Sequence, residues 1–136
     1  MFNTIKSILF GERYAKIKFR LAMVLYFCVV FFGSLPGMRK EVSHLASGLV
    51  LHSLTYMGIA LLLFRSKVSQ DFRLDDVKAV LLVSLLGAID ETVQIFIPYR
   101  TATVSDWLLD TAAGLFMILL LKKQYGIQKG ASDSDA

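Results

Sequence analysis

The sequence predicts an all-α protein, a small bundle of four transmembrane helices with its N and C termini in the cytoplasm. Three observations predict it: four long apolar runs, basic residues gathered on alternate connections, and a composition too apolar for a water-facing globule. Of 136 residues, 55% are hydrophobic, and the mean hydropathy is +0.58. That length allows one domain. A domain so small has too much surface for its volume to hide this much Leu, Ile, Val and Phe from water. Lipid is the solvent that accommodates them.

The elements follow in order. Residues 1–18 are a basic N-terminal segment in which Phe2, Ile5, Ile8 and Leu9 form the apolar side of a short amphipathic surface helix. The apolar runs cover residues 19–35, 42–64, 77–97 and 104–121, together the four-helix domain 19–121. Crossing the hydrocarbon takes about 20 residues, with a range of about 17–25. Helices are required because an open-edged strand leaves backbone groups unsatisfied in lipid. The first run stops at Pro36-Gly37, and a cleaved signal peptide is its rival reading, without a small-x-small site after Phe32. Asp75 or Asp76 caps the third helix. Residues 122–136 are a polar tail, and from Gly130 onward its small, acidic composition predicts no regular structure.

Charge sets the orientation. Twelve of the fifteen Lys and Arg residues lie before or at the start of the first run, from the end of the second to the start of the third, or after the fourth. Arg39, Lys40 and Arg100 alone fall on the other side, which makes that side the outer one. The net charge of +4 therefore reflects membrane anchoring and does not point to nucleic acid. Cys28 is the single cysteine, so no intrachain disulfide forms. No Gly-rich phosphate loop, paired-cysteine motif or internal repeat is present, and neither a metal nor a cofactor is expected.

Acidic residues inside the apolar runs carry the functional signal. Asp90 and Glu91 interrupt the third, and Asp106 and Asp110 interrupt the fourth. An ionised Asp at a helix centre costs about 2.5–3.5 kcal/mol on insertion scales, so these groups face the bundle interior, a wet cavity or one another. Asp106, Asp110 and Gly114 share one helical face, and Gly87, Glu91 and Gln94 share another, with Asp90 about 100° away. His44, Gly48, His52 and Tyr56 form a third stripe. His52 reads as a hydrogen-bonded interior histidine rather than a metal ligand. His44, Glu91, Gln94, Arg100, Asp106 and Asp110 converge on the outer half of the membrane. Arg100 is expected to form a salt bridge with Glu91 or Asp106, and Tyr99 and Trp107 to anchor the outer interface.

The stretch from Asp90 to Arg100, with Ser105-Asp106 and Asp110-Thr111 after it, resembles the signature of VanZ-like bacterial membrane proteins. That signature has a Glu, a Gln three residues on, a Pro-Gly-Arg turn, then Asp and Asn on the next helix, with an upstream His that His44 would supply. Here Tyr99 stands for the usual Gly and Asp110 for the usual Asn. The resemblance implies a multi-pass protein of the bacterial cytoplasmic membrane, a cell-envelope context and a link to teicoplanin-type glycopeptide susceptibility. It implies no reaction. Three functions stay open: binding of a lipid headgroup or lipid-linked ligand by the outer cluster, a membrane-embedded enzyme using Glu91, Asp106 and His44 as acid-base or metal-binding groups, and a structural accessory subunit with a buried ion-pair network. Beyond the bilayer and such a ligand, the sequence names no partner and no oligomeric state.

Overall fold

The computed structural model describes residues 14–35, 48–67 and 74–134. Within them lie four helices: α1 (Ala15–Gly33), α2 (Gly48–Leu63), α3 (Asp76–Ile95) and α4 (Val104–Ser134). His44 and the amphipathic segment at the N terminus lie outside the described residues.

Each helix end has a local cause. Asp75 is the N-cap of α3, its carboxylate accepting the Lys78 backbone N–H at 2.9 Å, and Asp76 is the first helical residue. The Lys78 ammonium also lies 2.9 Å from Asp75. The Lys78 N–H first, and its side chain second, hold the Asp75 carboxyl below the usual carboxylate range. A depressed folded-state value stabilises the fold above the ordinary Asp pKa, and that contribution is lost as pH falls through the lowered value. Asp75→Ala is therefore expected to lower the thermal midpoint at neutral pH, and Asp75→Asn to retain most of it. Thermal unfolding in detergent, repeated at a pH where the carboxyl is protonated, checks this, since the Ala penalty should shrink there.

At the end of α2, Arg65 takes a left-handed backbone (φ 51°), a position glycine usually fills. Its guanidinium lies over the Tyr125 ring, 4.2 Å from the centroid. The Lys18 ammonium reaches from α1 to donate to the Phe64 carbonyl at 2.8 Å, satisfying an acceptor that the finished helix leaves open.

The polar tail departs from expectation. Instead of losing structure at Gly130, α4 continues to Ser134. Adding residues to an existing helix costs far less than nucleating one, so a weak polar sequence can follow a strong apolar one.

The helices run up and down. The Lys67 N–H donates to the Ala15 carbonyl at 3.0 Å, and Lys122 pairs with Asp76 at 3.2 Å. These contacts gather the start of α1, the end of α2, the start of α3 and the Lys122 turn of α4 at one end. At the other end the Tyr99 hydroxyl donates to the Ser34 carbonyl. Helix α4 packs against both α2 and α3, and α1 packs against α2. Tyr56, Ile59, Leu63, Val83 and Ile118 form the centre of the core.

Burial is inverted relative to a water-soluble bundle. Ile17, Leu21, Val24 and Phe31 of α1, and Val77, Leu81, Leu85 and Ile89 of α3, are exposed, whereas Asp90, Glu91, Gln94 and Asp110 are buried. Residues 104–127 of α4 are long and apolar enough to cross a membrane, and only 22% of their most apolar window is buried inside the protein. The exposed apolar residues of this helix, among them Leu108, Phe116 and Leu119, suit lipid better than water. Among the other described helices, residues 50–63 of α2 form a shorter apolar stretch.

Candidate functional site

The turn that joins α3 to α4 builds the site. Helix α3 ends at Ile95, and Pro98 lies in the turn beyond it, where it cannot continue the helix. Thr103 then precedes α4, and its hydroxyl oxygen accepts the Asp106 backbone N–H at 3.1 Å, as an N-cap does. In a capping box the third helical residue would also accept the N–H of the cap. Here Glu91 of the preceding helix takes that role, accepting the Thr103 N–H at 2.7 Å. The Asp106 side chain, in the first turn, is left to favour the positive end of the helix.

From Glu91 a chain of hydrogen bonds runs outward. The Gln94 amide donates to the other Glu91 oxygen at 3.2 Å, and the Gln94 carbonyl oxygen accepts from Arg100 Nε at 3.2 Å. Glu91 and Gln94 are buried, and Arg100 is half-buried. This corrects the expectation for Arg100. It forms no salt bridge with Glu91 or Asp106; its described hydrogen bond is to the neutral Gln94. Glu91 instead directs its two oxygens to the Thr103 N–H and the Gln94 amide, and Gln94 stands between it and Arg100. The guanidinium is thus aimed through Nε; no described carboxylate lies within ion-pair distance of it, and Asp90 attracts it from further off.

A groove of about 370 Å³ opens beside this chain, lined by Ala88, Glu91, Thr92, Ile95, Ala102, Thr103, Val104 and Trp107. Most of its wall is apolar, and two of its polar members, Glu91 and Thr103, belong to the same hydrogen-bonded chain as Arg100. The Trp107 indole N–H donates to the Ser84 carbonyl at 2.9 Å and ties α4 to α3.

Asp110 stands apart from that group. It is fully buried, and both its oxygens face His52 Nδ1, at 3.1 and 3.3 Å. His52 is the hydrogen-bonded interior histidine the sequence suggested. Asp90 joins this inner set through the Tyr56 hydroxyl, at 3.5 Å. Among the described residues the expected cluster divides by its hydrogen bonds, with Glu91, Gln94, Arg100 and Thr103 at the turn and His52, Tyr56, Asp90 and Asp110 within the bundle. Asp90 links the two sets through its interactions with Gln94 and Arg100. Thr103 was overlooked in the sequence, although Thr103-x-x-Asp106 is the spacing of a helix start. His44 lies outside the described residues, so the acid-base set of Glu91, Asp106 and His44 is not assembled among those described.

The sequence model of the VanZ/LLP1 family matches residues 1–125. The chain belongs to the VanZ/LLP1 family. The match extends N-terminally past the stretch that carries the resemblance and includes α1, α2, α3 and most of α4. Searches of curated proteins and of solved structures gave no match to this VanZ/LLP1 chain.

Proposed function

We propose that this protein is a multi-pass protein of the bacterial cytoplasmic membrane that binds an anionic lipid headgroup, or a lipid-linked anionic ligand, at Arg100. The observation that carries the reading is the guanidinium of Arg100, aimed by Gln94 and with no described carboxylate within ion-pair distance. A guanidinium in this condition suits a phosphate or carboxylate, to which it can donate two parallel hydrogen bonds. The adjoining groove offers an apolar wall of Ala88, Ile95, Val104 and Trp107, which suits an acyl or prenyl chain. The excess of Lys and Arg at the opposite end supports an outward-facing site.

Within the cell envelope this binding would bear on glycopeptide susceptibility of the teicoplanin type. The test is a deletion strain carrying wild type, Arg100→Ala, Glu91→Gln or Asp106→Asn, scored for glycopeptide susceptibility beside the amount of membrane-inserted protein. Arg100→Ala is expected to insert normally and lose the wild-type phenotype. A wild-type phenotype in that variant would remove the proposal.

A structural role for Glu91 is supported by its bond to the Thr103 N–H, which ties the start of α4 to α3. Glu91→Gln is accordingly expected to reduce the inserted amount as well as the phenotype, since the amide keeps one acceptor but loses the charge that strengthens that bond. Immunoblots of the membrane fraction check it. Unchanged abundance would mean that the α3–α4 turn holds without the charge.

A further inference from the structure

The inner set of polar residues plays no part in the reading above and has a chemistry of its own. His52 of α2, Asp90 of α3 and Asp110 of α4 present one ligand atom each, all within 4.8 Å of one another. Asp90 is 5% exposed and Asp110 0%, which places two carboxylates deep among apolar side chains. Among the described residues one imidazole nitrogen is the single donor to the two oxygens of this fully buried carboxylate, Asp110, which has capacity to accept more. The hydrogen bond that Asp90 accepts from Tyr56 is long, at 3.5 Å. Gly87 lets α4 bring Asp110 close to α3: a Cβ there would lie 3.5 Å from the Asp110 Cβ, 3.7 Å from its Oδ2 and 3.2 Å from Trp107 Cδ1.

We propose that His52, Asp90 and Asp110 bind one divalent transition-metal cation, of the Zn²⁺ or Mn²⁺ kind, in the interior of the bundle. One imidazole with two carboxylates is a donor set that suits such ions, and the absence of thiolates disfavours Cu⁺. A neutral imidazole, two carboxylates and one divalent cation sum to zero charge, which is the cheapest state for charged groups removed from water. The ion would take the place of the proton between His52 Nδ1 and Asp110, and the three residues would close around it by a small contraction. Tyr56, hydrogen-bonded to Asp90, would orient that carboxylate from outside the coordination sphere. Because the ligands come from three helices, the ion would fasten α2, α3 and α4 together.

The test uses the full chain, purified in detergent, stripped with a chelator and titrated with Zn²⁺, Mn²⁺ or Mg²⁺. Metal content and the thermal midpoint are read together. Wild type is expected to hold close to one Zn²⁺ or Mn²⁺ per chain and to melt at a higher temperature with the ion. His52→Gln and Asp90→Asn should each weaken binding at least tenfold and lose the thermal shift. X-ray absorption at the metal edge of the wild-type complex should show one imidazole nitrogen and carboxylate oxygens, which decides the matter even where a variant fails to fold. Wild type without a stoichiometric ion, binding of Mg²⁺ alone, an absorption edge lacking imidazole, or folded variants that bind as wild type would each overturn the proposal. None of these results depends on Arg100.

Discussion

Gly114→Leu is expected to prevent assembly of the bundle, and Gly114→Ala to weaken it by about 1–3 kcal/mol, the usual range for overpacking a filled core. A Cβ built at Gly114 would lie 2.5 Å from Val83 Cγ1 and 3.3 Å from Val83 Cβ. That neighbour is short, branched and fully buried on α3, so it has no free end to swing aside. Accommodation requires α3 and α4 to separate. Separation would disturb the Trp107–Ser84 and Thr111–Ser84 hydrogen bonds, now 2.9 and 3.2 Å, that join the same pair of helices. Small residues at crossing points let helices approach when water supplies no driving force between them. The contact also specifies its own rescue. Val83→Ala in the Gly114→Ala background should recover much of the loss, whereas Val83→Ala alone should destabilise by opening a cavity. Unfolding of the four proteins in a mixed-micelle titration gives the coupling energy. Additive single-variant effects would mean that the two helices do not meet at Gly114.

Arg100→Ala is expected to leave the fold intact and to reduce affinity for an anionic lipid by about tenfold to a hundredfold. That range corresponds to loss of a hydrogen bond to a charged group, about 1.5–3 kcal/mol. The fold should survive because Arg100 contributes a single described hydrogen bond, at 3.2 Å, to a neutral amide. Gln94 would keep its own bond to Glu91. Arg100→Lys should fall between wild type and alanine, because an ammonium keeps the charge and loses the planar two-pronged geometry. Titration of detergent-solubilised protein with a short-chain anionic phospholipid measures all three. Equal affinities across the series would place the ligand elsewhere.

The helices were legible in the sequence because their signal is length and composition, and both survive in a single chain read alone. The third run, expected over 77–97, forms α3 at Asp76–Ile95, and its cap was narrowed in advance to two aspartates. The first, expected over 19–35, begins earlier at Ala15, because Lys18 can be buried once it has the Phe64 carbonyl as a partner. Nothing in the composition around residue 18 announces that partner, 46 residues away.

The polar side chains of the candidate site were legible as shared helical faces, but their pairing was not. Helical spacing put Glu91 with Gln94, and Asp106 with Asp110, on shared faces, and it grouped His52 with Tyr56. It could not set the rotation of one helix against its neighbour, and that rotation makes Asp110 meet His52 rather than Arg100. The missing Arg100 salt bridge has a similar origin. Charge counting assigns the lone cation to the nearest acids, but a backbone N–H at Thr103 competes for Glu91 and wins at 2.7 Å. Backbone donors at helix starts are invisible to any tally of charged side chains.

The most direct test of the Arg100 site is native mass spectrometry of the wild-type protein and Arg100→Ala, each equilibrated with phosphatidylglycerol, phosphatidylcholine or a polyprenyl phosphate. Wild type is expected to retain one anionic lipid in preference to the zwitterionic one, and Arg100→Ala to lose that preference while remaining folded. Equal retention of anionic lipid by both proteins would contradict the assignment of Arg100 as the headgroup-binding residue.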